Sequence, residues 1–106
     1  MLKTEFADKN LERCSWDEAF ALRFMGKKRA NLYRLRIQAL RLAANFNDLR
    51  NLAGNFHELV GDRKGEWACN LDQPYRLIIK GSEPDKVIVW SEISEAEVKE
   101  IVDYHK

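Results

Sequence analysis

The apolar residues of this chain change their period once, near Gly54, and that switch limits the folds open to it. Before it, Leu32, Leu35, Ala39, Leu42, Phe46 and Leu49 recur at spacings of three and four, which predicts one amphipathic helix with these residues on a single stripe. After it, Trp67, Cys69 and Leu71 alternate with other residues, as do Tyr75, Leu77 and Ile79. That is the period of a strand with one buried face. A helical front half and a stranded back half predict an α+β domain in which helices cover a sheet.

Local signals divide each half further. Residues 2–7 are expected as a short opening strand. Ser15, three residues before Glu18, makes a capping-box pattern that predicts a helix from Trp16 to Met25, stopped by Gly26. Together with the longer helix it forms an αα-hairpin whose apolar face needs another layer. The stretch Phe56–Lys80 reads as three short strands joined by two turns, Gly61–Gly65 and Asp72-Gln73-Pro74. Pro74 suits a strand's first position, where its missing donor costs little. Gly81–Asp85 makes a third turn before an expected strand over Val87–Trp90. The C-terminal segment is ambiguous. Ser94-Glu95-Ala96-Glu97 is another capping-box pattern, and Val98, Ile101, Val102 and His105 have helical spacing, so local rules alone give a helix.

At 106 residues the chain is expected to be one domain, 1–106. An apolar fraction of 45% excludes wholesale disorder. No apolar run approaches the ~18 residues needed to span a bilayer, and the Met1–Lys9 segment is too charged for a signal peptide. A cytoplasmic location is expected. Cys14 and Cys69 lack metal-ligand spacing, and the alternation of Cys69 with Trp67 and Leu71 predicts a buried thiol. The net charge of +1 conceals an asymmetry. Residues 21–50 carry eight bases against one acid, Asp48, whereas residues 81–106 carry seven acids against three bases. Such a basic element faces an acidic partner, nucleic acid or solvent.

Nucleotide-hydrolysis, dinucleotide-binding and zinc-protease motifs are missing from the sequence. The chemistry that its residues suit is metal-free phosphodiester cleavage, with neither metal nor cofactor expected. RNA brings its own nucleophile, the 2′-hydroxyl, so the protein must take that proton, stabilise charge on the phosphate and protonate the leaving oxygen. His57 and His105 both fall near expected strand ends and suit either proton task. Arg76, opposite in parity to Tyr75, Leu77 and Ile79, leaves the sheet on the other face, and a guanidinium can bond two phosphate oxygens at once. Trp67 and Tyr75 are expected in the core, whereas Tyr104, between Asp103 and His105, is expected to be exposed enough to stack on a base.

His57-Glu58-Leu59-Val60-Gly61-Asp62-Arg63, then Tyr75-Arg76-Leu77, then Asp103-Tyr104-His105, resembles the HigB-like "killer protein" branch of the RelE/ParE toxins. The resemblance implies a microbial-RNase-like fold: two N-terminal helices packed on an antiparallel sheet of four to five strands, with residues 97–105 as the last strand instead of a helix. It implies a ribosome-dependent endoribonuclease acting on translated mRNA, neutralised by a helix-turn-helix, HigA-like antitoxin. His57, Arg76, Tyr104 and His105 would be catalytic, with Arg63, Lys64 and Asp103 on the RNA. Arg29, Arg34, Arg36 and Arg41 would meet the antitoxin or the ribosome. One residue departs from the pattern: Val60 stands where better-characterised members carry lysine. Two other readings stand beside this one, a ParE-like gyrase poison or weak nuclease acting by protein binding, and a generic RNA-binding module that uses the basic helices.

Overall fold

Residues 1–104 are described in a computed structural model, and they form an α+β unit in chain order strand, three helices, four strands. Strand β1 (Lys3–Phe6) leads into helices α1 (Lys9–Cys14), α2 (Glu18–Met25) and α3 (Lys27–Leu42). A 3-10 segment (Phe46–Asn51) then connects to β2 (His57–Glu58), β3 (Glu66–Asn70), β4 (Tyr75–Lys80) and β5 (Glu95–Asp103). The sheet runs β1-β5-β4-β3-β2. Neighbours pair antiparallel except β1, which lies parallel to β5 with Lys3 opposite Glu95 and Phe6 opposite Val98. The sheet is therefore mixed, not purely antiparallel as expected.

The helical half differs from expectation in its divisions. Asp8 accepts a hydrogen bond from the Leu11 amide and starts α1, which the sequence reading lacked. Ser15 does not cap α2; its hydroxyl donates backwards to the Glu12 carbonyl at 2.6 Å. Asp17 is the cap, its carboxylate accepting from the Phe20 amide at 3.0 Å. A carboxylate satisfies an orphan amide as well as a hydroxyl does and also complements the helix dipole.

The apolar stripe of α3 is not the expected one. Ala30, Tyr33, Ile37 and Leu40 are buried, whereas Leu35 and Leu42 are 54% and 75% exposed. Both sets have helical spacing, so the period alone cannot say which faces the sheet. Tyr33 contributes to the choice: its buried hydroxyl donates to the Leu11 carbonyl at 2.6 Å and ties α3 to α1. Phe46 and Leu49 are buried as expected, but from the 3-10 segment, because α3 ends at Leu42.

One sheet face meets the helices. Trp67, Cys69, Leu71, Leu77, Ile79, Ala96 and Val98 join the helical residues in a single core, as the strand alternation implied. Burial pushes the Cys69 thiol up to about 12, and Cys14 is likewise buried and free. The expected strand over Val87–Trp90 does not form. Strand β5 already has β1 on one side and β4 on the other, so no ladder position remains beside it. Val87 is 97% exposed, and Trp90 opens a 3-10 turn whose ring packs edge-on against Trp67 at 5.3 Å between centroids. Pro74 follows a cis peptide bond and precedes β4 instead of opening it. No helix among the described residues is long and apolar enough to cross a membrane.

The phase of α3 is directly testable. Ile37→Ala should cost about 2–5 kcal/mol in urea unfolding because it empties a filled core site. Leu42→Ala should stay within ~0.5 kcal/mol, as for an exposed position. Equal losses at both sites would return Leu42 to the core.

Candidate active site on the outer face of the sheet

The residues with chemistry gather on the sheet face turned away from the helices, and the ladder register fixes their rows. His57 pairs with Ala68, Ala68 with Ile78, and Ile78 with Glu100, so these four form one row across β2, β3, β4 and β5. The next row holds Asn70, Arg76 and Val102. On the other side lies the row Glu66, Lys80 and Glu97. Ala68 and Ile78 are fully buried yet stand outside the main core, so they make an apolar floor covered by neighbouring side chains.

A bulge in β5 completes this face. Ile79 lies opposite Val98 and Ile78 opposite Glu100, which leaves Lys99 as an extra residue. An inserted residue lets two consecutive side chains point the same way. Lys99 and Glu100 both serve the outer face, while Val98 and Ile101 both pack with the core. The ammonium of Lys99 donates to Glu66 Oε2 at 2.5 Å. Arg63 forks between two carboxylates, Glu66 Oε1 at 2.8 Å and Glu100 Oε2 at 3.2 Å. Glu66 is 7% exposed. Burial pushes its carboxyl upward, but the hydrogen bonds and charges of Lys99 and Arg63 outweigh that and hold it below the ordinary glutamate range.

Arg76 and Tyr104 meet at the end of the same face. The Arg76 guanidinium carbon lies 5.8 Å from the Tyr104 ring centroid, within cation–π range. Arg76 also donates to the Tyr75 carbonyl at 3.1 Å and the Gln73 side chain at 3.3 Å. Tyr104 is held by its own amide, which donates to the Pro74 carbonyl at 3.1 Å. Asp103 pairs with Tyr75 in the ladder and precedes it. His57 sits on the edge strand, and its Nδ1 lies 2.8 Å from the Asn55 carbonyl. A carbonyl only accepts, so Nδ1 carries the proton and Nε2 of a neutral ring is a free base. Two strand spacings and two residues separate His57 from Arg76, roughly 12 Å between Cα atoms by ideal sheet geometry. Long side chains can close on one phosphodiester across that span.

The remaining sequence candidates divide clearly. Lys64 is exposed on the turn beside Arg63, and Val60, 83% exposed, opens the same turn. His105 lies outside the described residues. The four helical arginines do not form one surface. Arg29 makes a two-pronged bond to Asp72 at 2.9 and 3.1 Å and stacks 3.6 Å from the Tyr75 ring centroid. Arg36 donates to the Asn70 carbonyl at 2.7 Å, close over Gly54, where a Cβ would meet its guanidinium. Arg34 pairs with Glu18, and Arg41 is exposed. Arg29 and Arg36 thus lock the helices to the sheet's turns. Sequence reasoning missed Glu66, Lys99 and Glu100. The parity of Glu66 against Trp67 was available as a signal; the bulge that brings Lys99 and Glu100 to it was not. No three histidine, cysteine or acidic side chains among the described residues converge as a metal-binding group.

The Glu66 network sets a pH dependence. A carboxyl held lower in the folded state stabilises the fold above its unfolded value, about 4.3 for glutamate, and loses that contribution as pH falls through the folded value. Glu66→Gln should cost about 1–2 kcal/mol at pH 7, the lower part of the range for charged hydrogen bonds because both cationic heads are more than a third exposed. The gap to wild type should close on titration below pH ~4. A gap that persists unchanged there would assign the loss to packing. Compared with known proteins, the chain matches no family model and no curated sequence.

Proposed function

We propose that this chain is an endoribonuclease that cleaves RNA by attack of the 2′-hydroxyl, acting in the cytoplasm as the toxin of a type II toxin–antitoxin pair. The observation that carries the proposal is the Arg76–Tyr104 pair, a guanidinium beside an exposed ring, on the face that also bears His57 with Nδ1 on the Asn55 carbonyl. In this reading Tyr104 stacks on a base next to the scissile bond and Arg76 bonds the phosphate oxygens. His57 Nε2 takes the 2′-hydroxyl proton. The 2′-oxygen bonds to phosphorus, the P–O5′ bond breaks, and His105 gives a proton to the leaving oxygen, with a 2′,3′-cyclic phosphate as product. The ribosome, presenting translated mRNA, and a helix-turn-helix antitoxin are the proposed partners.

A second reading has its own support. Arg63 is engaged by two carboxylates, and Val60 adds no charge to the turn, so the protein could poison a target such as gyrase by binding alone. Expression without antitoxin separates the two. Growth arrest with cuts inside translated messages is expected from a nuclease; arrest with intact mRNA and inhibited gyrase would replace it by the second reading. Arg76→Ala should lower cleavage by ~10²–10³-fold, the usual loss for one preorganised transition-state charge, with an unchanged melting temperature. Full activity in a folded Arg76→Ala variant would remove that arginine from the site.

A further inference from the structure

Helix α3 has two apolar sides, and the second is covered only in part, where Ala39 packs on the core and Leu35 and Leu42 stay exposed. Opposite the buried Ala30, Tyr33, Ile37 and Leu40, the residues Leu35, Ala39 and Leu42 fall within roughly 60° of each other around the helix axis. Leu52 and Ala53, beyond the 3-10 segment, complete a largely apolar groove of about 440 Å³ that Arg36, Gln38 and Asp48 also line. Leu42 at 75% and Leu35 at 54% exposure are unusual for leucines spaced seven apart on one helix. A stripe with that spacing is the seam of helix-on-helix packing.

The charge beside the seam is as ordered as the seam. Lys27, Arg34 and Arg41 also recur every seven residues, along a single flank of the leucines. Helix α3 carries six bases and no acid. Lys27 and Arg41 make no salt bridge among the described residues, and the Arg34–Glu18 pair is exposed at both partners, so it exchanges readily. Asp48 is the one acid lining the groove. A second copy of the chain would set one all-basic helix against another, which disfavours self-association through this face.

We propose that the groove between α3 and Leu52–Ala53 is the docking site for an amphipathic helix of a partner protein. That helix carries aliphatic residues at spacings of three and four, and Glu or Asp about every seven residues along the flank that meets Lys27, Arg34 and Arg41. The inference stands apart from the nuclease reading, because none of these residues belongs to the outer-face site. Seam contacts supply affinity and the charge ladder supplies register and orientation.

The test is selection of a phage-displayed library of helix-biased 16-residue peptides on the immobilised full chain, followed by anisotropy with the best synthetic peptide. Enriched peptides are expected to share an aliphatic seam with an acidic flank. Leu42→Glu, or Leu35→Ser should the first fail to fold, is expected to weaken binding about tenfold or more, as loss of a buried anchor does. Arg34→Glu with Arg41→Glu and added salt should weaken it too. Failure to enrich, peptides lacking the acidic flank, or indifference to Leu42→Glu would overturn the proposal. So would a concentration-dependent dimer dissolved by Leu42→Glu, which makes the occupant a second copy. Binding to acidic-lipid vesicles without peptide binding would instead make it a membrane surface.

Discussion

One extra residue in β5 governs how this sheet divides its labour. Lys99 breaks the strict alternation, so Val98 and Ile101 can both enter the core while Lys99 and Glu100 both emerge on the outer face. Pair the same sequence without the bulge, with Lys99 opposite Ile78, and every later residue turns over: Ile101 would leave the core and Val102 would replace it. The position of Tyr104 beside Arg76 is downstream of that same shift. A local irregularity in hydrogen bonding thus aligns the end of the strand with the residues it has to meet.

The ions on the outer face follow from the bulge. Glu66 is a carboxylate taken largely out of water, a condition tolerable only because Lys99 and Arg63 bond both of its oxygens. Arg63 then reaches Glu100 with its other nitrogen, so the 61–65 turn is clamped to β3 and β5 at once. On the helical side, Arg29 and Arg36 perform a comparable task, fastening α3 to the turn at Asp72 and to the end of β3. Half of the arginines that looked like a binding surface in the sequence are therefore fasteners.

What the sequence made legible was the order of elements and the faces of the central strands. Trp67, Cys69, Leu77 and Ile79 alternate so regularly that only one pairing buries them all. The phase of α3 was not legible, because Leu35–Leu42 and Tyr33–Leu40 are equally good stripes on a helix, and only the neighbouring elements decide between them. The C-terminal strand was masked for a physical reason. The bulge puts Val98 and Ile101 on one side at a spacing of three, which is also the signature of a helix, and only the resemblance to the toxin family argued for a strand. Of the candidate site, Arg76, Tyr104 and His57 could be named from motif and parity. The Glu66–Lys99–Glu100 cluster could not, since it depends on a register that no local pattern encodes.

The parallel pairing of β1 with β5 has a consequence for the order in which the molecule is assembled. The first strand of the chain has a single partner, and that partner is the last of the five strands. During synthesis, β1 and the helices that follow it wait with an unpaired edge until residues 95–98 are available. Long-range pairing of this kind comes late and slowly compared with local contacts. Because the same strand carries Tyr104 to Arg76, the outer face is completed in the step that closes the sheet. A nascent chain lacking β5 has neither a finished fold nor a finished site.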